Sequence, residues 1–227
     1  MALFRLPLLF NKKIRFWKLL GCGKNGTFDI HPDWRQWGIL TVSGFKFPVE
    51  QIQITKNNDK SQTLNYKLLY GAFISLWWKF FRCEVYTILL EPIEGFGTWN
   101  GKEVFGALPK QTSYEGPVAV LTRATIRLKR LKDFWQNVDG VAASANNSPG
   151  FITSIGIGEM PWIKQATFSV WQSKEHMKQF AYKMQEHAAV IRKTRSEDWY
   201  SEEMFVRFKV LGSFGTLHGI NPLKGKL

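Results

Sequence analysis

Two of the chain's four histidines, His176 and His187, stand in one run, "TFSVWQSKEHMKQFAYKMQEHAAVIRKTRSEDWYSEEMFVRF" (Thr167–Phe208). Imidazole is the commonest metal-ligating side chain, so their surroundings decide what chemistry is open to them. A strand-like segment ends at Trp171, and Ser173 stands where a helix N-cap belongs. At about 100° per residue, Met177, Phe180, Ala181, Met184, Ala188 and Ile191 form one apolar stripe. His187 comes seven residues after Phe180, on the edge of that stripe and late in the helix. His176 shares its flank but lies further toward solvent. A neutral imidazole walled by Phe and Met suits an iron porphyrin as axial ligand, its other ring nitrogen fixed by a hydrogen bond. The same position equally suits a boundary histidine that holds nothing, and the residues alone leave both readings open. The eleven-residue spacing is about three helical turns, too far for the two rings to share one zinc ion. His31 in "DIHPDW" and His218 in "GTLHG" fall in turn-like contexts with no ligand spacing.

The remaining chemistry is sparse. In "LTRATIR", Arg123 and Arg127 fall on the same face of an expected strand. Such a pair could grip carboxylates, haem propionates among them, or form salt bridges at a sheet edge. The carboxylates of "SEDWYSEEMF" follow a basic "RKTR" and read as solvated charge pairing. The glycine-rich "GCGKNG" and "GIGEMP" lack the phosphate-binding patterns, and no GxSxG nucleophile elbow occurs. Two cysteines, Cys22 and Cys83, exclude a disulfide scaffold and a Cys-only zinc site, and lead us to expect a reducing, cytoplasmic compartment.

The 227 residues are 44% hydrophobic and 15% aromatic, with ten Trp, enough for a sizeable core and for a pocket that takes a bulky apolar ligand. The net charge of +13 is spread evenly, with 14 Lys+Arg against 8 Asp+Glu in residues 1–108 and 17 against 10 in 109–227. A scattered excess suits attraction to anionic surfaces, membranes included, and argues against a dedicated nucleic-acid groove. The apolar run "LLYGAFISLWW" (Leu68–Trp78) is far short of the ~20 residues of a membrane-spanning helix. The N-terminal "MALFRLPLLFNKKIRF" is apolar and then basic, the reverse of a signal peptide. It is expected to pack on the body of the protein or to rest on a membrane surface.

These candidates must be positioned by larger elements, and the chain carries a repeat. "FWKLLGCG" (Phe16–Gly23) aligns with "FITSIGIG" (Phe151–Gly158) at an offset of 135, and "GFGTWNGKEVF" (Gly95–Phe105) with "SFGTLHGINPL" (Ser213–Leu223) at 118. Between them lie strand-like runs, Trp37–Ser43 and Ala166–Trp171, then a helix-like stretch and another strand, Glu84–Pro92 or Met204–Leu211. With the β-branched Val118–Leu128 before it, the second copy reads β-α-β-β-α-β, the ferredoxin-like unit. We therefore expect an α+β fold of two ferredoxin-like repeats in one chain. Residues 1–108 form the first, N-terminally truncated and with an insert at 44–62, and 117–227 the second, joined through the polar Leu108–Pro117. Only 15 residues precede Phe16, so the first copy's opening strand and helix cannot both be present.

The blocks "GPVAVLTRATIR" (Gly116–Arg127), "PGFITSIGIGEMP" (Pro149–Pro161), "QATFSVW" (Gln165–Trp171), "FAYKMQEHAAVIRKTRSEDWYSEEMFVRF" (Phe180–Phe208) and "GTLHGINPL" (Gly215–Leu223) resemble the spheroidene monooxygenase family of carotenoid-modifying enzymes. The resemblance continues more weakly through "FWKLLGCGKNGTF" (Phe16–Phe28) and "GTWNG" (Gly97–Gly101). It implies an oxidoreductase holding haem b and using dioxygen to hydroxylate and then ketolate the end of an acyclic carotenoid, with electrons from a donor such as ferredoxin. It also implies the dimeric α+β barrel superfamily, here with both units in one chain pairing their antiparallel sheets into a barrel. On that resemblance His187 is the iron ligand, Arg123 and Arg127 meet the propionates, and Phe168, Trp171, Phe180 and Trp199 wall the substrate pocket. The rival expectations are a haem protein of other chemistry, a dehydratase or haem-degrading enzyme, and a non-catalytic barrel that binds a polyene or haem. Contact with the inner face of a membrane follows only from the apolar substrate and the positive charge.

Overall fold

The computed structural model describes residues 2–24, 29–44, 53–55, 62–137, 145–160, 162–183, 194 and 197–226. Among these, strands β1 (Ile14–Gly23), β2 (Pro32–Ser43), β5 (Tyr86–Gly97), β6 (Val118–Ile126), β7 (Phe151–Met160), β8 (Lys164–Trp171) and β9 (Tyr200–Gly215) form one antiparallel sheet, in the order β2-β1-β7-β8-β6-β9-β5. Two short strands, β3 (Gln53–Thr55) and β4 (Gln62–Leu64), pair separately within the insert. Helices α1 (Arg5–Leu9), α2 (Tyr66–Tyr70) and α3 (Ala72–Phe80) belong to the first half; α4 (Leu131–Gln136) and α5 (Lys174–Lys178) belong to the second.

The order β7-β8-β6-β9 is that of a ferredoxin-like unit, and β1, β2 and β5 occupy the places of β7, β8 and β9. The strand registers carry the repeat independently of the sequence matches. Where the halves meet, β1 pairs with β7 through Gly21↔Gly158 and Cys22↔Ile157. Cys22 and Ile157 are equivalents at the offset of 135, so a pseudo-two-fold axis passes between them. At the other junction Tyr86↔Gly215 and Gly97↔Met204 exchange under the offset of 118. The extra residues at the two bulges of this pairing, Ile93 and Leu211, are equivalents as well. The two repeats thus join as the subunits of a symmetric dimer do, within one chain.

The curl stays open between β2 and β5, the two edges of the sheet. That seam is where a first-repeat opening strand would lie. Residues 2–13 supply the short helix α1.

Alternation along the strands separates two cores. Ala119, Leu121, Ala166, Val170, Met204, Val206 and Phe208 are buried inside the curl with Leu20 and Trp99. On the outer face, α1, α2 and α3 cover the first repeat through Phe4, Leu8, Tyr70 and Ile74. Val118, Val120, Trp171 and Met177 pack beneath α5 on the second.

The glycine-spaced motifs have a structural cause. After each fourth strand the chain makes a tight turn, with Gly97 and Gly215 at φ 88 and 78, Asn100 and His218 at φ 52 and 54, and Gly101 and Gly219 at φ 73 and 79. A glutamate from the other repeat clamps each turn. Glu202 accepts from Thr98 Oγ1 and the Gly101 N–H, both at 2.8 Å; Glu84 accepts from Thr216 Oγ1 at 2.7 Å and the Gly219 N–H at 2.6 Å. A Cβ on Gly215 would lie 1.9 Å from the Val85 carbonyl oxygen, whereas one on Gly101 meets nothing within 4 Å. Gly215→Ala is therefore expected to cost about 3 kcal/mol or more and Gly101→Ala only ~1 kcal/mol, measured by urea unfolding.

Candidate functional site

The two repeats treat their outer sheet faces differently. In the first, Leu19 lies opposite Ile39, and both pack with Trp17 under the helices. By register the equivalents in the second are Ser154 opposite Ser169. Gly156 and Thr167 follow on the same face, beside Thr122 and Ala124 of β6. Small side chains cannot reach an overlying helix, so a cavity of about 630 Å³ remains where the first repeat is filled. That is the size of a pocket for a cofactor or a drug-sized ligand.

Large groups wall this floor. Trp171 stacks on Phe180 with ring centres 5.1 Å apart and meets Phe151 edge-on at 5.3 Å. Its indole N–H donates to Ser169 Oγ at 3.0 Å, which leaves the ring face for packing. Phe134, Trp199 and Tyr200 also line the cavity, and Phe205 packs with the Trp171 cluster. Burial, with Glu203 nearby, pushes the Tyr200 phenol above its ordinary range, so it stays a neutral hydroxyl. The exposed ammonium groups of Lys110 and Lys178 stand at the margin, and a buried cluster of Glu94, Arg207 and Lys174 borders it. The chain over the cavity changes form. Ser173 caps α5 by accepting from the His176 N–H, and after Lys178 the helix widens into a π-turn, Gln179–Lys183. Such turns re-aim side chains and occur often at functional sites.

Of the residues singled out from sequence, Trp171, Phe180 and Trp199 line this cavity together. Phe168 does not: strand alternation turns it inward, against the interior core. His176 packs on Gly150 and is held to Ser173 Oγ through Nδ1 at 2.9 Å, outside the lining. His187 lies outside the described residues, as do Met184, Ala188 and Ile191 of the expected stripe. Arg123 and Arg127 do not share a face. The ladder between β6 and β9 shifts after Thr125, and Arg127 pairs at the surface with Asp198 at 3.1 Å.

Arg123 borders the cavity, but its guanidinium is 1% exposed and turned to the inside of the curl. It donates to Glu202 at 2.7 Å and to Asn100 and Glu159 at 3.2 Å each, and lies 4.9 Å from the centre of the Trp99 ring. Glu159 also accepts from the Trp99 indole at 2.6 Å and from Lys18 at 2.5 Å. The carboxylate expected to be solvated, Glu202, is thus a partner in this network. Sequence could not assign it, because β9 begins at Tyr200 and carries Glu202 inward beside Arg123. The small floor residues were missed too, although their alternation in "TSIGIG" and "QATFSVW" was visible as a signal.

Burial alone would raise the Glu202 carboxyl, but bonds from the Gly101 N–H, Arg123 and Thr98 draw it down to about 2. A lowered folded-state value means stability that is present above the unfolded value and lost as pH falls. Wild-type stability should therefore decline between pH 4.5 and about 2, and Glu202→Gln should be less stable at neutral pH with a flatter acid limb. Arg123→Met, which strands two carboxylates, should cost about 3 kcal/mol or more in chemical denaturation.

A family model described as a domain of unknown function (DUF3291) matches residues 118–210, the strands and helix that build this cavity. The chain is 32% identical over 232 aligned residues to the spheroidene monooxygenase of Rhodobacter capsulatus, covering all of this chain and 88% of that protein. It is 31% identical over 220 residues to the spheroidene monooxygenase of Cereibacter sphaeroides, covering 96% of this chain but 63% of the longer relative. Among solved structures, SnoaB, a cofactor-independent oxygenase from Streptomyces nogalater, is 17% identical, with 47% of this chain and 98% of that chain covered and a TM-score of 0.32, a likeness too slight to bear on chemistry. An identity of 32% to a relative of which the chain covers 88% places the chain in the spheroidene monooxygenase family.

Proposed function

We propose that the chain is a haem-dependent monooxygenase that hydroxylates and then ketolates the end of an acyclic carotenoid, with the outer-face cavity of the second repeat as its site. The observation that carries this reading is the hollowing itself. One scaffold occurs twice, and the copy with Ser154 and Ser169 in place of Leu19 and Ile39 holds a cavity of about 630 Å³ with a largely apolar wall over its outer face. Membership of the family supports the reaction class.

The described residues suit a porphyrin in two respects. Trp171, Phe180, Phe151 and Met177 offer flat or pliable apolar surface to a macrocycle, and Lys110 and Lys178 offer ammonium groups to its carboxylates. Those lysines replace Arg123 and Arg127 as the propionate partners in our reading, since both arginines are already held by carboxylates. His187, which follows the π-turn in sequence and lies outside the described residues, is the proposed iron ligand. Haem, when bound, supplies the activation of dioxygen. The protein's own part is to exclude water with the Trp171–Phe180 stack, to align the carotenoid end against the floor, and to admit electrons from a donor such as ferredoxin.

The test fills the cavity with the first repeat's own residues. Ser154→Leu/Ser169→Ile should keep the fold, with a stability loss of about 1–3 kcal/mol because the buried Trp171 indole N–H loses its Ser169 acceptor while the new side chains enter the cavity. In cells that accumulate an acyclic carotenoid, extracts should contain hydroxylated and ketolated products with the wild type and less than about a tenth as much with the filled variant. Wild-type cells that bind haem or carotenoid but form no product would favour the non-catalytic barrel, and products of another kind would favour other haem chemistry.

A further inference from the structure

Helix α3 is apolar apart from Ser75 and Lys79. Its inner side buries Ile74, and Trp78 packs beneath it against Tyr66 and Tyr70. The opposite side presents Phe73, Leu76 and Phe80, spaced at i, i+3 and i+7, with Leu76 63% and Phe80 80% exposed. Helix α1 and the residues flanking it repeat this pattern, burying Phe4 and Leu8 while exposing Leu3, Leu6, Leu9 and Phe10. The Phe4 ring meets Phe73 at 6.4 Å and Trp77 at 5.9 Å, and Trp77 meets Phe81 at 4.6 Å, so the two helices make one continuous patch. An apolar surface of this extent needs a partner.

The charges around it name the partner's chemistry. Arg5, Lys12, Lys13, Lys67, Lys79 and Arg82 are all exposed, and among the described residues none of them forms an ion pair. The sequence holds no Asp or Glu in residues 1–28 or 65–83. A second copy seated on this patch would set these cations against their own counterparts. We infer that the α1–α3 face docks on an anionic lipid bilayer, with Leu6, Leu9, Leu76 and Phe80 entering the interface and the lysines and arginines meeting the headgroups. No helix among the described residues is long and apolar enough to cross a membrane. The inference stands on this face alone and does not depend on the reaction proposed for the second repeat.

The test is flotation of the purified chain with vesicles of phosphatidylcholine, with and without phosphatidylglycerol. The expected result is binding to the anionic vesicles at least about tenfold above neutral ones, weakened by salt, and a further drop of about tenfold in Leu76→Asp/Phe80→Asp. Trp34→Asp, at a residue 75% exposed on β2 away from the patch, should bind as wild type does. Because all three side chains are exposed, melting curves should be unchanged. Equal binding by the Leu76/Phe80 variant, or no preference for anionic lipid, would overturn the inference. So would a wild-type dimer in solution that the same variant dissociates, since the patch would then be covered by a second copy.

Discussion

Everything in this fold depends on the continuity of one antiparallel sheet through two repeats. The junctions β1·β7 and β5·β9 are hydrogen-bonded ladders with symmetric register, down to the paired bulges at Ile93 and Leu211. A slip of one residue at either junction would turn every side chain of a repeat to the wrong face. The turn clamps act on the same joint. Glu84 and Glu202 each reach from one repeat to the turn of the other, so the fourth strands are tied at both ends. The Glu202 clamp extends further, to Arg123 on the opening strand β6 of the second repeat.

Given that fixed frame, function can diverge through the size of a few outward side chains. Leu19 and Ile39 fill the first repeat; Ser154 and Ser169 hollow the second. The helices respond in kind. The first repeat's helix sits down on its sheet and keeps a second apolar side facing out, while the second repeat's helix stands over a cavity and loosens into a π-turn. One repeat thus becomes the candidate reaction site, and in our reading the other becomes the face that meets the source of an apolar substrate.

Much of this was legible in the chain. The repeat showed in Phe16/Phe151 and in the two "GT..G" turns because backbone geometry demands glycine at those positive φ angles. The β-α-β-β-α-β order showed in the alternation of β-branched runs and a capped helix. What escaped was set by tertiary contacts. Strand β9 starts four residues before its apolar run, since Glu202 is held by Arg123 rather than by burial of neighbouring apolar groups. Phe168 and Trp171 look alike as aromatic wall candidates, but an odd spacing on one strand sends them to opposite faces. Arg123 and Arg127 look alike by even spacing, and a ladder shift separates them.

We propose that the hollow of the second repeat holds haem and that His187 is the iron ligand. The most direct measurement is the absorption spectrum, oxidised and reduced, of protein expressed with haem precursor, for wild type, His187→Ala and His176→Ala. The expected result is a Soret band that shifts on reduction, is unchanged in His176→Ala, and collapses or moves in His187→Ala. An identical band in His187→Ala, or a colourless wild type, would contradict it.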